Sequence, residues 1–304
     1  MPGRGTTKGG FRARVFPALI LSVGALHLAG PGWSPSAQAA GREGYPNAHL
    51  LVDAALLRAR LGEAGLRLVD VRAPAAYAAG HLPGALHLPV ENLRSTPIPA
   101  LEDRLGRAGI ARDHTVVIYY DDAGLAASRL FLLLEYLGHH HLHILNGGFQ
   151  AWVAAGGAVT RRTTSQEPTA YRARPRPEVI ATKADVLAGL KDPRRVLVDA
   201  RSGAEFAGRD VRAARGGHIP GARHVEWTEH LRREPIPFWK PARELETLFA
   251  AAGATPEQEI VTYCQTHSRA SHTYFTLRLM GYSKVKAYLG SWEEWGNDPA
   301  LPIE

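Results

Sequence analysis

The chain has 304 residues, 45% hydrophobic and 21% charged, a balance that excludes disorder, collagen and coiled coil and leaves room for about two domains. A single cysteine, Cys264, excludes an internal disulfide framework and a cysteine-rich zinc site. The formal charge of +7 falls to +3 without Arg4, Lys8, Arg12 and Arg14, so it gives no warrant for a nucleic-acid partner.

Those four cations open the chain. Residues 1–39 hold no acid and run from the basic stretch into an apolar one, Val15 to Ala29, interrupted at His27. A Pro/Ser/Gly spacer follows, then Ala37-Gln38-Ala39, a small-x-small cleavage site. The apolar stretch is short of the roughly 20 residues a bilayer span needs. The order reads as a signal peptide over 1–39, and the absence of an Arg-Arg pair favours general secretion over the twin-arginine route. The expected product starts near Ala40, is periplasmic or secreted, and has no membrane contact after cleavage.

The remainder repeats itself, which decides the architecture before any local reading does. The run Leu66 to Arg72 ends in Asp70-Val71-Arg72, and Arg195 to Arg201 ends in Asp199-Ala200-Arg201. Gly80-His81-Leu82-Pro83-Gly84-Ala85 returns as Gly217-His218-Ile219-Pro220-Gly221-Ala222, the second copy carrying an extra basic insertion around Gly208 to Gly216. A constant offset of 143 then pairs Val117 to Tyr120 with Ile260 to Tyr263, Gly138 with Gly281, Gly147 with Gly290 and Trp152 with Trp295.

Within each copy, short β-branched runs such as Val196 to Asp199, Ile260 to Tyr263 and Val285 to Tyr288 alternate with helical stretches such as Arg269 to Met280. That alternation predicts an α/β fold in each copy, a parallel sheet with helices on both faces. Leu130 to Leu134, apolar all round, predicts a helix buried between its sheet and the neighbouring domain. The domains fall at 48–155 and 178–299, and residues 156–177, rich in Arg, Thr, Pro and Ser, read as a solvated linker.

Ligands of open α/β sheets sit beyond the carboxyl ends of the strands. Cys264 stands at that place, after strand Ile260 to Tyr263 and ahead of an amphipathic helix. In the loop Cys264-Gln265-Thr266-His267-Ser268-Arg269 the backbone N–H groups can converge on sulfur, the helix adds its positive end, and His267 and Arg269 add cations. Such surroundings favour the nucleophilic thiolate, whereas an inert core cysteine would be followed by apolar residues. The first copy has Asp121 there, followed by Asp122-Ala123-Gly124-Leu125-Ala126, and a carboxylate cannot hold transferable sulfur.

With the paired Asp-x-Arg strands, the paired Gly-His-x-Pro-Gly-Ala phrases, the turns Asn146-Gly147-Gly148-Phe149 and Leu289-Gly290-Ser291-Trp292, and one six-residue cysteine loop, the chain resembles the tandem-domain rhodanese family from about Ala48 to Gly296. The resemblance implies two rhodanese-like domains, the first non-catalytic, and a Cys264 persulfide that takes sulfur from a donor such as thiosulfate and gives it to cyanide or a thiol. It makes Cys264 the catalytic residue and Gln265, Thr266, His267, Ser268 and Arg269 the substrate-binding loop. The loop is similar to the Cys-Gln-Thr-His-x-Arg loop of bacterial thiosulfate enzymes and differs from the glycine-rich loops of mercaptopyruvate enzymes. Glu205 replaces an arginine that helps animal enzymes hold the donor, so Arg269, with His267, is left as the anion handle.

No cofactor is expected. The expected partners are a small-molecule sulfur donor and acceptor, with a protein sulfur acceptor as a further reading. Three alternatives stay open: a 3-mercaptopyruvate sulfurtransferase, an exported sulfur carrier without turnover of its own, and a cysteine-dependent phosphatase. The last needs five residues between Cys and Arg, and this loop has four. Asp70, Arg72, Asp199 and Arg201 are expected to fix loop geometry, and Trp292 and Trp295 to pack. The cluster His139, His140, His141 and His143 reads as an exposed polar turn, the alternative being a weak metal site.

Overall fold

The computed structural model of the chain describes residues 1–3, 5, 44–90, 95–232 and 235–304, so the candidate leader lies outside the described residues but for its first few positions. The first copy runs β1 (Leu51–Val52), α1 (Ala54–Ala59), β2 (Leu66–Asp70), α2 (Pro74–Ala79), β3 (Ala85–His87), α3 (Ile98–Arg107), β4 (Thr115–Tyr119), α4 (Leu125–Tyr136), β5 (Leu142–Leu145) and α5 (Gly148–Ala154). The second runs β6 (Ile180–Ala181), α6 (Lys183–Ala188), β7 (Arg195–Asp199), α7 (Gly203–Phe206), β8 (Arg223–His224), α8 (Ala242–Ala251), β9 (Glu259–Tyr263), α9 (Ser268–Leu279), β10 (Val285–Tyr288) and α10 (Ser291–Trp295). The sheets have the same five-stranded parallel order, β1-β5-β4-β2-β3 and β6-β10-β9-β7-β8. Even the register repeats, Asp70 opposite Tyr119 and Asp199 opposite Tyr263.

Both faces of each sheet are covered, so the central strands are mostly apolar on both faces and the alternation of their apolar residues shows in which core each joins. Val116 and Ile118 of β4 face the large core shared by the two copies, while Val117 and Tyr119 face the outer core with Trp152. In β9, Ile260 joins the shared core and Val261 and Tyr263 join the outer one with Trp292 and Trp295.

Helices α4 and α9 meet between the sheets. Phe131 packs edge-on against Phe275, ring centroids 4.9 Å apart. Helix α9 is not amphipathic as its sequence suggests, for residues 270–277 are all buried. Two of its hydroxyls bond back along the helix: Ser271 Oγ donates to His267 O and Thr276 Oγ1 to His272 O. One turn further along α4, Glu135 is buried, accepting from Tyr274 Oη at 2.9 Å and from Arg278 Nε and Nη2 at 3.1 and 2.9 Å, with Arg176 Nη1 at 3.4 Å. Removing this carboxylate leaves a tyrosine hydroxyl and an arginine fork without their acceptor. Glu135→Ala is therefore expected to destabilise the protein by about 3 kcal/mol, read as a lowered urea midpoint, and an unchanged midpoint would contradict the assignment.

The segment joining the copies has solvated side chains over most of its length, as expected of a linker, but its backbone is tied to the first copy. Arg174 N and Arg176 N donate to Leu137 O and Tyr136 O, Thr169 N donates to Gly106 O, and Tyr171 is buried. Gly138, at φ +78°, lets this strap pass, since a Cβ there would run into Arg174 O. The histidine cluster is likewise only half an exposed turn. His140 and His141 are exposed, but His139 and His143 are buried and bond to the carbonyls of His114 and His49. Among the described residues no group of three or more His, Cys, Asp or Glu is placed to hold a metal ion.

Candidate active site

The site is the junction of β9 and α9, and on the neighbouring strand β7 the Asp199-x-Arg201 arch stands beside it, Asp199 opposite Tyr263. Arg201 donates from Nε to Asp199 Oδ1 at 3.0 Å, and from Nη2 to Asp199 Oδ2 at 2.6 Å and Gly217 O at 2.7 Å, with Trp292 over its guanidinium at 4.5 Å. Arg72 repeats this with Asp70, Gly80 O and Phe149 in the first copy. The arches exist in both domains, so they support the loop position without conferring chemistry.

Cys264 is 1% exposed and sits against Ala200, Ala270 and Trp227. Helix α10 fixes its backbone: Trp292 N donates to Cys264 O and Glu293 N to Gln265 O, each at 2.9 Å. Since N–H and C=O of a trans peptide point oppositely, the N–H groups of Gln265 and Thr266 face away from α10. The first-turn N–H groups of α9 add donors that no helical carbonyl can use. Cys264 N itself lies 3.3 Å from Ser291 Oγ, whose proton goes to Tyr288 O. Ser291 reaches this place at φ +52°, a conformation that favours glycine, and Gly148 occupies the matching place of the first copy at φ +57°. Sequence reading left Ser291 out; a serine standing where the repeat has glycine was the available signal.

The remaining loop residues divide. Thr266 is exposed, and Gln265, Ser268 and Arg269 are half-buried. Gln265 Nε2 donates to Arg212 O at 2.9 Å, tying the loop to the basic insertion. His267 departs from the anion-handle reading: its ring is buried, with Nδ1 3.1 Å from Ser271 Oγ and Nε2 3.4 Å from Thr262 Oγ1. At φ +64° the backbone turns this ring under the loop, where it braces the turn.

Arg269 is also committed. Its Nη1 and Nη2 donate to Glu205 Oε2 and Oε1 at 2.5 and 2.8 Å, with Glu205 itself 1% exposed. Burial opposes the arginine charge, but Glu205 and the facing sulfur of Cys264 outweigh it and raise the guanidinium above its ordinary value. Burial likewise opposes the carboxylate, yet Arg269 and the N-cap Ser202 bring Glu205 down to about 2. Glu205 is thus no bare negative charge in the donor's path, as its replacement of an arginine suggested. Arg212 Nε lies 3.7 Å from the same carboxylate, while its other contact is to Asp210 at the surface.

The first-copy loop has none of this. Asp121 is exposed, Asp122 Oδ2 accepts from Ala126 N at 2.8 Å, and the turn ends on Gly124, which lies against Trp239 and His272 of the second copy. Two parallel α/β domains of one topology, only one bearing a cysteine under a helix N-terminus, define a duplicated cysteine-loop protein. The sequence matches the rhodanese-like domain at 53–155 and again at 182–298, and the chain belongs to the rhodanese family in its tandem form. It is 36% identical over 264 residues to the thiosulfate sulfurtransferase of Pseudomonas aeruginosa, covering 84% of this chain and 97% of that one. It is 34% identical over 283 residues to the sulfur carrier protein TtuD of Thermus thermophilus, covering 86% and 98%. Among solved structures, an EanB variant with ergothioneine covalently linked with a persulfide superposes with a TM-score of 0.77 at 27% identity, covering 85% of this chain and 70% of that one.

Proposed function

We propose that the protein is a thiosulfate sulfurtransferase that carries sulfur as a persulfide on Cys264. The observation that supports this most is the setting of its one cysteine, a buried thiol at the end of β9 under the first turn of α9 with the Arg269 guanidinium facing it. The Cys264 thiolate attacks the outer sulfur of thiosulfate, an S–S bond forms, the donor's own S–S bond breaks, and sulfite leaves with the electron pair. Cyanide then attacks the outer persulfide sulfur, giving thiocyanate and returning the thiolate. The loop N–H groups stabilise both anionic forms.

Gln265, Thr266, Ser268 and Arg269 form the wall the donor meets, with His267 bracing the turn. Preference for thiosulfate over 3-mercaptopyruvate rests on bulk more than on charge, because Gln265 and Arg269 occupy space and Glu205 already balances Arg269. The expected result is a larger kcat/KM for thiosulfate with cyanide as common acceptor; a larger value for mercaptopyruvate reverses the donor while leaving the persulfide in place. Similarity to a sulfur carrier supports a second reading, in which a protein takes the sulfur. A persulfide that survives excess cyanide and is discharged by a protein thiol favours that reading.

Export is the corresponding proposal for location. Its support is the order of basic, apolar and small residues over 1–39. N-terminal sequencing of the native protein from a periplasmic or culture fraction is expected to begin near Ala40, and Met1 in a cytosolic fraction would refute it.

A further inference from the structure

The duplication supplies an internal control for what the cysteine loop needs beyond its fold. Devices common to both copies, such as the Arg72 and Arg201 arches, belong to the scaffold. A device that appears only where the cysteine appears belongs to the cysteine. Arg269 and Glu205 meet that condition together. The offset that pairs Asp121 with Cys264 pairs Ala126 with Arg269, and the offset that pairs Arg72 with Arg201 pairs Ala76 with Glu205. Both ends of the ion pair are alanine in the copy without the thiol.

The geometry points to Glu205 as a positioning residue: it clamps the Arg269 guanidinium in one orientation against the Cys264 sulfur, and so sets the rate of sulfur transfer without touching the substrate. Glu205 is itself over-determined. It stands at the third position of α7, where Ser202 Oγ lies 3.3 Å from Glu205 N, and Glu205 Oε2 accepts from Ser202 N at 3.1 Å and Ser202 Oγ at 2.9 Å in a capping box. That box fixes the carboxylate before Arg269 arrives. The two remaining directions then take the guanidinium through both terminal nitrogens, which a planar fork can do and an ammonium cannot. Ala73 replaces Ser202 in the first copy, so the box that aims the carboxylate is missing there too. The clamp fixes a donor fork before charge develops on sulfur, which is where preorganisation lowers a barrier.

This inference rests on the persulfide reading and asks more of it. The test uses the full chain in four variants, Glu205→Gln, Arg269→Gln, the double variant and Arg269→Lys, with Cys264→Ser as control. Persulfide formation from thiosulfate is followed in a single turnover by mass, and kcat and KM are measured with cyanide. A clamp predicts that Glu205→Gln, which keeps shape and capping bonds, lowers kcat about 10- to 100-fold with little change in KM. It also predicts that the double variant is no slower than Arg269→Gln alone, because Glu205 acts only through Arg269. Should Glu205→Gln fail to fold, Arg269→Lys decides: charge kept and fork lost is expected to reproduce most of the Arg269→Gln defect. Wild-type kcat in Glu205→Gln or in Arg269→Lys, a lowered KM with raised kcat/KM in Glu205→Gln, or losses that multiply in the double variant would each overturn the clamp. If Cys264→Ser still transfers sulfur, the persulfide reading is what has failed; if that control is inert while Glu205→Gln is normal, the clamp alone has failed.

Discussion

Cys264→Ser is expected to abolish sulfur transfer, by at least about 10³-fold in kcat/KM, and to leave the fold in place. Serine keeps the volume that packs against Ala200, Ala270 and Trp227, and its backbone bonds to Ser291 and Trp292 do not depend on the side chain. What it lacks is a sulfur nucleophile whose bond to a second sulfur is easily made and broken. There is no other thiol to substitute, since Cys264 is the only cysteine in the chain. Wild-type protein incubated with thiosulfate is expected to gain the mass of one sulfur atom and lose it to cyanide, while the serine variant does neither. Transfer at an appreciable rate by the variant would sink the mechanism.

Stability is expected to fall steeply as pH drops from about 6.5 to 5, and the cause is three histidines held neutral. Burial pushes His139 down to about 4 and His230 down to about 3, and it pushes His272 well below its ordinary range. His230 and His272 stack with Nδ1 atoms 3.3 Å apart, an arrangement that accepts one proton between them and repels two. Lys240 near His230, and His114, His140 and His141 around His139, act in the same direction. Below about pH 6.5 each of these side chains binds a proton in the unfolded chain and not in the folded one, so acid favours unfolding. Their contribution is fully present above that pH and is lost as pH falls toward the depressed folded values. Each costs about 1.4 kcal/mol per pH unit, or about 6 kcal/mol for the three at pH 5, comparable with the whole stability of a domain. Urea midpoints at pH 7.5, 6.5, 5.8 and 5.0 read the slope directly, and His272→Phe is expected to flatten it by about one proton. A midpoint constant across that range would show that these rings are not held neutral.

The same pair shows how the second domain depends on the first. Trp239 stacks on His272 with ring planes 2° apart, donates its Nε1–H to Thr276 Oγ1, and donates its backbone N–H to Asn146 Oδ1 of the first copy. Gly124, at the end of the Asp121 loop, lies against both rings. The loop without a cysteine therefore packs against α9, the helix that follows the Cys264 loop.

The duplication, the parallel sheets and the place of the cysteine are legible in the residues alone, because repeated phrases and apolar periodicity are local and survive without knowledge of packing. Asp-x-Arg twice and Gly-His-x-Pro-Gly-Ala twice were enough to superpose the copies, and Asp121 against Cys264 separated their chemistry. Relations between residues far apart in the chain become visible only in the fold. The charges of Glu205 and Arg269 are legible, but their pairing across 64 positions is not, and it turns an apparent obstacle to the donor into a support for the loop. His267 reads as a cation beside sulfur until the positive φ turns its ring beneath the turn, and the polar face of α9 reads as exposed until α4 covers it. The strap at 156–177 reads as solvated because its composition is polar, yet its backbone N–H groups find the carbonyls left open at the end of α4. In each case the side-chain type fixed which bonds could form, and the fold, by bringing distant partners within reach, decided which of them did.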